Sequence, residues 1–573
     1  MTLTGSRSPL APRRTLPATV VDDTVAAAAV LLEKWHPDDS SSGSSLFLDS
    51  TTPDEADGFL RAAKDLHRAM LFYASGLTTK DLHGGGHGLI QAQELLDTAM
   101  RRLELELHTL LASLPKVLHF NQYDEDVHDD QSLRDTCAHL RAVAEAMLAA
   151  GYGKECVSVF KARRRASVAA AVQRLHGFSP SLQQATIQKL AWDQIDPKMQ
   201  SWLAGARTAF ASVFAGEREL CDQVFAGDNA SVGDAVFADI DDDQATSILA
   251  FAEAAIARAR RAPERLFRVL DVHDALTETI IPAIVAAFGD KSEVTARAIT
   301  LAVTTVGDAV RGMVASFEAA IEKEPAKATV PGGAVHPLTR YVMNYLVFLA
   351  DYENALANIY SAEQFTDTSS SVGSGSGTAG SSSSDLSMTS TSSSSSTLRT
   401  LSLWSNPIGW LVSVLMRKLD AKAGNYKEAA LSYLFLANNT HYVARKVGGG
   451  TKLEAVLGEE WAEAQRAKAR GYVDVYVRAA WGSKVLRGGA MDEAVVEAVA
   501  MQERWVAADE EMGEALRAVA RAAVVPTYRM FYRRQGAAAK LTPGDVIGMI
   551  DGLFGGRTSS HSSSSSSNSL VST

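Results

Sequence analysis

The sequence predicts an all-α protein in which many antiparallel helices pack one after another. Alanine is abundant, and only 16 of the 573 residues are proline, which favours helices over strands. Between polar breaks, apolar residues recur at the spacing of one helix face. No run alternates in the way a half-buried strand does, and β-branched and aromatic residues dominate no long stretch. Together, these observations exclude an all-β protein.

Each predicted helix has its own supporting pattern. Amphipathic runs cover Phe59–Leu71 and Leu95–Leu114. Further along the chain, Pro337 suits the first turn of a helix, where its missing N–H is not needed. A long amphipathic helix is predicted over Tyr426–Val447, and we expect Gly448–Gly450 to end it, because glycine readily adopts the backbone conformation that follows a helix.

Low-complexity segments organise the chain. We expect disorder in an N-terminal tail (1–20), a Ser-rich loop (364–401) and a Ser-rich tail (558–573), because such compositions bury too little apolar surface to offset chain entropy. Helices are expected in an N-terminal bundle region (21–200) and a C-terminal region (201–557). The Ser-rich loop therefore interrupts a helical region. No segment of the chain reaches the roughly 20 apolar residues that span a bilayer.

Charge and cysteine content limit the function classes. The net charge of −11 argues against a general polyanion binder. No basic run interleaves with stacking aromatic residues, so we expect no nucleic-acid partner. The three cysteines are far apart and form no CxxC motif, which fits a reducing compartment and excludes a cysteine-based zinc site. We expect Cys156 and Cys221 to be small buried hydrophobic residues.

Enzyme signatures are missing. The segment Gly448–Lys452 resembles a phosphate loop, but it lacks the required spacing and no strand precedes it, so a helix end is the better interpretation. The acidic residues at 239 and 241–243 lack the order of a calcium loop, and we expect a solvated helix start there. The chain has no GxSxG or HExxH motif. We therefore predict a non-enzyme with no catalytic residue, no metal ligand and no cofactor.

The positive signal is a local reversal of charge near the C-terminus. The window Ala515–Lys540 contains no acidic residue, and its six basic residues are Arg517, Arg521, Arg529, Arg533, Arg534 and Lys540. Each basic residue near an anionic membrane contributes about 1 kcal/mol of binding free energy. The window therefore predicts a salt-sensitive membrane attachment. The alternative is an ordinary solvated helix face.

Six segments, in a fixed order along the chain, carry a family resemblance. They are Gly151–Cys156, Glu217–Phe225, Gly332–Tyr345, Phe435–Tyr442, Tyr476–Trp481 and Leu541–Phe554. Together they resemble the seventy-kilodalton subunit of the exocyst in its plant form, over about residues 55–557. The resemblance implies an elongated rod of stacked antiparallel helical bundles, so that 201–557 is its C-terminal part.

The resemblance also implies a function. The family is non-catalytic and helps to tether secretory vesicles to the plasma membrane before fusion. Its members contact other exocyst subunits and small GTPases, and they bind phosphatidylinositol 4,5-bisphosphate through basic residues near the C-terminal end. In this sequence the expected lipid-binding residues are Arg529, Arg533, Arg534 and Lys540. A cytoplasmic location at the periphery of the plasma membrane is implied with them.

The sequence departs from the family pattern in two places. The family has two basic residues three positions apart, as in Lys-Tyr-Ile-Lys-Tyr, where this chain has Ala537–Leu541 and keeps only Lys540. The long N-terminal heptad helix of assembling members is also missing, so we expect a divergent member with a shortened N-terminus. An alternative function follows, namely an interaction module that acts outside the full complex, for example in plant defence.

Several motif residues suit an architectural role better than a functional one. His336 and Pro337 fit the start of a helix. Asn438, Asn439 and His441 lie on an otherwise apolar helix, and we expect them to satisfy buried backbone groups. The motifs thus identify the family and do not indicate an active site.

Overall fold

The computed structural model describes a helical chain over the residues 18–38, 45–48, 53–76, 85–115, 117–118, 127–175, 187–259, 261–325, 327, 329–370, 406–482 and 491–555. Within these ranges the regular structure is helical and there is no β-strand. The all-α prediction is confirmed. The contacts within the chain define two compact units, which are residues 1–259 with 271–306 (unit 1) and residues 260–270 with 307–573 (unit 2).

The regular structure of unit 1, in the part of it that the structure describes, consists of helices. Its helices are α1 Ala18–Lys34, α2 Pro53–Gly76, α3 Gly85–Ser113, α4 Val127–Ala149, α5 Gly153–Arg174, α6 Trp192–Thr208, α7 Ala215–Val224, α8 Ala230–Ala259, the end of α9 Leu266–Ala275, α10 Ile281–Phe288 and α11 Glu293–Thr300. The predicted amphipathic runs lie on α2 and α3, which pack against each other. The rings of Phe210, Phe214 and Phe237 meet that of Phe288 in the core.

The acidic cluster of unit 1 is not the solvated helix start that we expected. It lies in the middle of α8, and Asp241 is fully buried. Arg164 and Glu217 form a buried bidentate ion pair nearby, with Arg164 Nη2 at 2.7 Å and Nε at 3.0 Å from the carboxylate. Burial, and then the charge of Glu217, raise the pKa of Asp241 well above its usual value. Asp241 is therefore a core residue that favours its neutral form.

Unit 2 is a second helical assembly. Its helices are α12 Gly307–Lys323, α13 Pro337–Leu349, α14 Glu353–Ser370, α15 Pro407–Ala423, α16 Ala429–Val447, α17 Lys452–Leu457, α18 Glu459–Trp481, α19 Met491–Gln502, α20 Glu510–Gln535 and α21 Pro543–Asp551. Helices α16 and α18 pack closely along each other, and α20 packs against both α18 and α21. The core among them centres on Tyr476, Trp481 and Tyr528.

The element boundaries refine the sequence expectations. Residue 200 falls inside α6 rather than at a break between helices, and α16 begins at Ala429 rather than at Tyr426. Helix α14 continues to Ser370, into the first part of the predicted 364–401 loop. The described residues do not include 1–17, 371–401 or 556–573.

One continuous helical stretch, Glu293–Lys323, is long and apolar enough to cross a membrane by length and composition. This corrects the expectation that no segment reaches such a length. Half of its most apolar window is buried inside the protein. Core helices of soluble proteins pass the same test, so the stretch is weak evidence for a membrane span.

A buried polar network confirms the architectural role of the central motif. The carboxamide oxygen of Asn439 accepts hydrogen bonds from the backbone N–H of His336 at 2.9 Å and from the Thr339 hydroxyl at 2.7 Å. Asn438 donates to the carbonyls of Gly333 and Val506 at 2.7 and 2.8 Å. These contacts hold the segment before α13 against α16.

The start of α13 follows the prediction. His336 is the N-cap residue, and its Nδ1 accepts a hydrogen bond from the N–H of Leu338 at 3.0 Å, while Pro337 occupies the first helical position. Burial, and then the nearby charge of Lys422, lower the pKa of His336. The neutral imidazole is the form that accepts this bond, so the cap is preserved at neutral pH.

Candidate functional site

The C-terminal segment of unit 2 carries the predicted membrane-binding residues on α20. Asp509 caps the N-terminus of this helix and accepts the N–H of Met512 at 2.9 Å. The helix ends where Gly536 takes a φ of 55°, a left-handed conformation that glycine adopts without strain. Thr542 and Asp545 then form a reciprocal capping box that starts α21, so both ends of the intervening loop are held by local hydrogen bonds.

The six basic residues of the C-terminal window do not form one continuous patch. Arg517 is buried and donates to Glu510 Oε1 at 2.6 Å and to the carbonyl of Leu553 at 3.3 Å. Arg521 donates to Glu514 Oε1 at 2.5 Å and pairs with Asp551. These acids stand outside the window in sequence but lie against it in the fold. Arg517 and Arg521 are therefore structural cations, and the prediction of an uninterrupted basic run is wrong for its first half.

Arg529, Arg533 and Arg534 are exposed on the last turns of α20. A spacing of four and five residues places them on one face of the helix. None of them forms an ion pair with any residue that the structure describes. Met530 is 54% exposed, and its spacing to Arg533 and Arg534 puts it on the same face. We call these four residues the arginine face.

Lys540 is exposed but neutralised. Its Nζ lies 3.0 Å from Glu493 Oε1 at the start of α19, and both side chains are 71% exposed. Its backbone N–H donates to Asp492 Oδ2 at 2.9 Å. The structure thus brings three of the four predicted lipid-binding residues together on the arginine face and places the fourth beside an acid. The side chain of Ala537, at the usually basic position, lies outside the described residues.

Asp492 is a residue that sequence reasoning missed, and it anchors the loop that carries Lys540. Its carboxylate accepts the hydroxyl of Tyr528 and the N–H of Lys540. Burial acts to raise its pKa, but the Tyr528 hydroxyl and the backbone N–H groups of Lys540 and Leu541 lower it below its usual value. The contact joins residues 48 positions apart, so local sequence patterns contain no signal for it.

His441 does not satisfy backbone as we expected. Its Nε2 lies 2.9 Å from Asp509 Oδ2, and Arg445 Nη1 donates to the same oxygen at 2.6 Å. Burial acts to raise the pKa of Asp509, but hydrogen bonds from the Met512 N–H, Arg445 and His441 lower it. Glu511 completes a cluster whose possible ligand atoms lie within 4.8 Å of one another. Because Asp509 already serves as a helix cap and an ion-pair acceptor, the geometry suits a structural link between α16 and α20.

The glycine motif and the cysteines behave as predicted. Helix α16 ends at Val447, and Gly449 and Gly450 take φ values of 90° and 77°, which identifies a helix end and not a phosphate loop. Cys156 and Cys221 are fully buried and free. Burial raises the pKa of Cys156 to about 12, so its thiol stays protonated and unreactive at neutral pH.

Family models match two parts of the chain. The model for the C-terminal part of the Exo70 exocyst complex subunit matches residues 200–486, and the model for the N-terminal part of the exocyst complex component Exo70 matches residues 24–113. The exocyst complex component EXO70B2 of Arabidopsis thaliana is 32% identical over 69% of this chain and 63% of its own length. EXO70A1 of the same plant is 26% identical over 88% of this chain and 84% of its own length. The alignment with EXO70B2 thus spans less than two thirds of that relative.

Solved structures agree in fold. A Saccharomyces cerevisiae Exo70 structure with additional residues has a TM-score of 0.59, with 14% identity over 94% of this chain and 99% of that chain. A second structure of the yeast Exo70p component has a TM-score of 0.58, with 12% identity over 93% of this chain and 99% of that chain. The family model covers half of the sequence, and the solved structures share the helical architecture. The chain belongs to the Exo70 family of exocyst subunits.

Proposed function

We propose that this chain is a non-catalytic exocyst-type subunit that helps to tether secretory vesicles to the plasma membrane. In this proposal it acts at the cytoplasmic face and binds phosphoinositide through Arg529, Arg533 and Arg534, with a smaller contribution from Lys540. Membership in the Exo70 family supports the exocyst role. Other exocyst subunits and small GTPases are the partners that we propose with it.

The observation that carries the lipid proposal is that the three arginines are not paired with any acid that the structure describes. Arg517 and Arg521 are paired with acids, whereas the arginine face meets no acid among the described residues. A guanidinium binds phosphate oxygens through parallel hydrogen bonds. At about 1 kcal/mol for each residue, three arginines contribute about 3 kcal/mol, which is roughly a hundredfold in affinity. Met530 offers an apolar group on the same face.

A competing explanation is structural. Arg533 and Arg534 stand in the last turn of α20, where cations stabilise a helix by about 0.3–1 kcal/mol through its dipole. This explanation predicts a change in stability without a change in lipid binding. It does not require an exposed methionine between the arginines, and it leaves Arg529, two turns from the helix end, without a role.

Vesicle co-sedimentation tests the lipid proposal. The Arg529→Gln/Arg533→Gln/Arg534→Gln protein is compared with the wild type on phosphatidylcholine vesicles with and without phosphatidylinositol 4,5-bisphosphate. The matched control replaces three exposed arginines elsewhere, Arg163, Arg207 and Arg478, and removes the same total charge.

We expect the first triple variant to lose about a hundredfold in affinity for phosphoinositide vesicles, and the control to retain most of its binding. Binding of the wild type should fall steeply as salt rises. Equal losses in the two triple variants would mean that net charge alone drives adsorption. No binding by the wild type, or full binding by the first variant, would refute the proposed site.

The second candidate function is an interaction module that acts outside the full complex, for example in plant defence. The pairing of Lys540 with Glu493 favours it, because it reduces the charge available for lipid at the one family position that is kept. Affinity purification from plant tissue separates the two candidates. Stoichiometric co-purification of several exocyst subunits would refute the second candidate, and their absence would refute the first.

A further inference from the structure

An open groove lies among α16, α18 and α20, on residues different from the arginine face. Its volume is about 750 Å³. Small or apolar residues make up most of its lining, and these are Ala444, Gly448, Gly449, Ala469, Val473, Met512, Ala515, Ala518 and Val519. Ala444, Ala469 and Val473 are buried, whereas Ala518 is exposed. The groove therefore has an apolar floor that is accessible from outside.

The dimensions of the groove match a short helix. Its walls run from His441 to Arg445 on α16 and on to Gly448 and Gly449 just after this helix, from Arg466 to Asp474 on α18, and from Glu511 to Val519 on α20. Eight residues of rise give the walls on α18 and α20 a length of about 12 Å, or roughly two helical turns. Alanines along these walls leave room for another helix to approach closely, since the distance between packed helices is set by the side chains at their contact.

The charges at the rim indicate what the occupant must carry. Arg470 is exposed and forms no ion pair with any described residue, and the same holds for Asp474 one turn later and for Glu511. By contrast, Arg445 is held by Asp509 at 2.6 Å. The α18 wall thus changes, within the described part of the chain, from an unpaired positive charge at Arg470 to an unpaired negative charge at Asp474. A ligand that matches it needs an acidic group and a basic group about one turn apart.

We propose that this groove binds an amphipathic helix of a partner protein, with an apolar stripe flanked by an acidic residue that meets Arg470. Helix-in-groove recognition combines such a stripe with specific charges at the edges. The opposite charges of Arg470 and Asp474 then help to select the partner and its direction, because complementary charges contribute chiefly to specificity.

Fluorescence anisotropy with two stapled helical peptides of about 14 residues tests the proposal. Both peptides carry leucines at i, i+4 and i+7. One has a glutamate and a lysine one turn apart beside the stripe, and the other has lysines at both positions. We expect the wild type to prefer the first peptide by about tenfold and Arg470→Glu to prefer the second. This reversal does not depend on the direction in which the peptide lies.

A pair of tryptophan variants controls for location. Ala518→Trp fills the groove, whereas Ala479→Trp places the same side chain on an exposed part of α18 away from it. We expect only Ala518→Trp to abolish peptide binding, with both variants retaining the wild-type thermal unfolding profile. Peptide affinities that stay at the wild-type values in both Arg470→Glu and Ala518→Trp would overturn the proposal. So would a groove that binds a small apolar dye but no peptide, or self-association that is lost in Ala518→Trp.

Discussion

Lys540 Nζ lies 3.0 Å from Glu493 Oε1. The two residues are 47 positions apart in the chain, and both are largely exposed to solvent. An exposed ion pair of this kind contributes little to stability, about 0–1 kcal/mol. Its effect on the surface is larger, because Glu493 offsets the positive charge that Lys540 would present to an anionic membrane. Glu493 is therefore a residue that sets the net charge of the candidate lipid site.

The first prediction concerns Glu493→Gln. Removing the carboxylate frees the ammonium of Lys540, and we expect affinity for phosphoinositide vesicles to rise by about fivefold, since one basic residue contributes about 1 kcal/mol near an anionic leaflet. Co-sedimentation at several salt concentrations measures the change. Glu503→Gln is the matched control, because it removes the same charge from an exposed site. An equal gain in both variants would show that Glu493 has no specific influence on Lys540.

The second prediction distinguishes the structural arginine from the exposed ones. Arg517→Ala removes the donor to Glu510 and to the carbonyl of Leu553, and it leaves Glu514 with Arg521 alone. We expect the free energy of unfolding to fall by about 1–3 kcal/mol, as measured by urea denaturation. Arg534→Ala, at an exposed site, should change it by less than about 0.5 kcal/mol. Similar losses in the two variants would contradict the assignment of Arg517 as the buried anchor.

The third prediction concerns Asn439, which lies in the buried polar network between α16 and the start of α13. Asn439→Leu leaves the N–H of His336 and the hydroxyl of Thr339 without their acceptor inside the protein. We expect a loss of about 2–4 kcal/mol in unfolding free energy, because each unsatisfied buried group costs about 1–3 kcal/mol. Asn358→Leu, on an exposed face of α14, is the control. Equal stabilities of the two variants in thermal and urea unfolding would refute the stabilising role of Asn439.

The fourth prediction concerns Asp241. Its pKa is higher in the folded protein than in the unfolded chain, so between these two values the folded state holds a proton that the unfolded state has lost. Stability therefore falls as pH rises through that window, and the loss is complete above the folded pKa. Asp241→Asn should stabilise the protein at pH 7 by on the order of 1–3 kcal/mol and reduce this pH dependence.

Urea denaturation of Asp241→Asn across a pH series measures both effects. Arg164, Glu217 and Asp242 also act on this carboxyl, so some pH dependence will remain in the variant. Asp243→Asn, at an exposed position on the same helix, should leave both the stability and its pH profile nearly unchanged. A destabilised Asp241→Asn protein at pH 7 would indicate that the ionised carboxylate is needed in the core.

Much of the architecture was predictable because it depends on local chemistry. The helical class follows from apolar periodicity, the start of α13 follows from the His336-Pro337 pair, and the end of α16 follows from its three glycines. The interaction partners in each case lie within a few residues. For this reason the roles of these residues could be stated before any tertiary contact was known.

The candidate site was only partly predictable. Sequence predicted Arg533 and Arg534 as lipid-binding residues, and the structure leaves both of them exposed on α20. Sequence also placed Arg517 in the same basic run, although Glu510 and Glu514 just before the window pair with it and the distant carbonyl of Leu553 accepts its hydrogen bond. The exposure of Met530 and the salt bridge between Lys540 and Glu493 had no local signal.

By itself, the sequence determined the fold class, the family and the identity of the basic residues near the C-terminus. The tertiary structure alone decided which of these charges remain available to bind lipid and which are paired with acids. Asp241 shows the same division, since an acidic cluster looks solvated in sequence yet its central carboxyl is buried. The physical reason is that helical periodicity and capping act over one or two turns, whereas the charge of a surface depends on residues that folding brings together from distant parts of the chain.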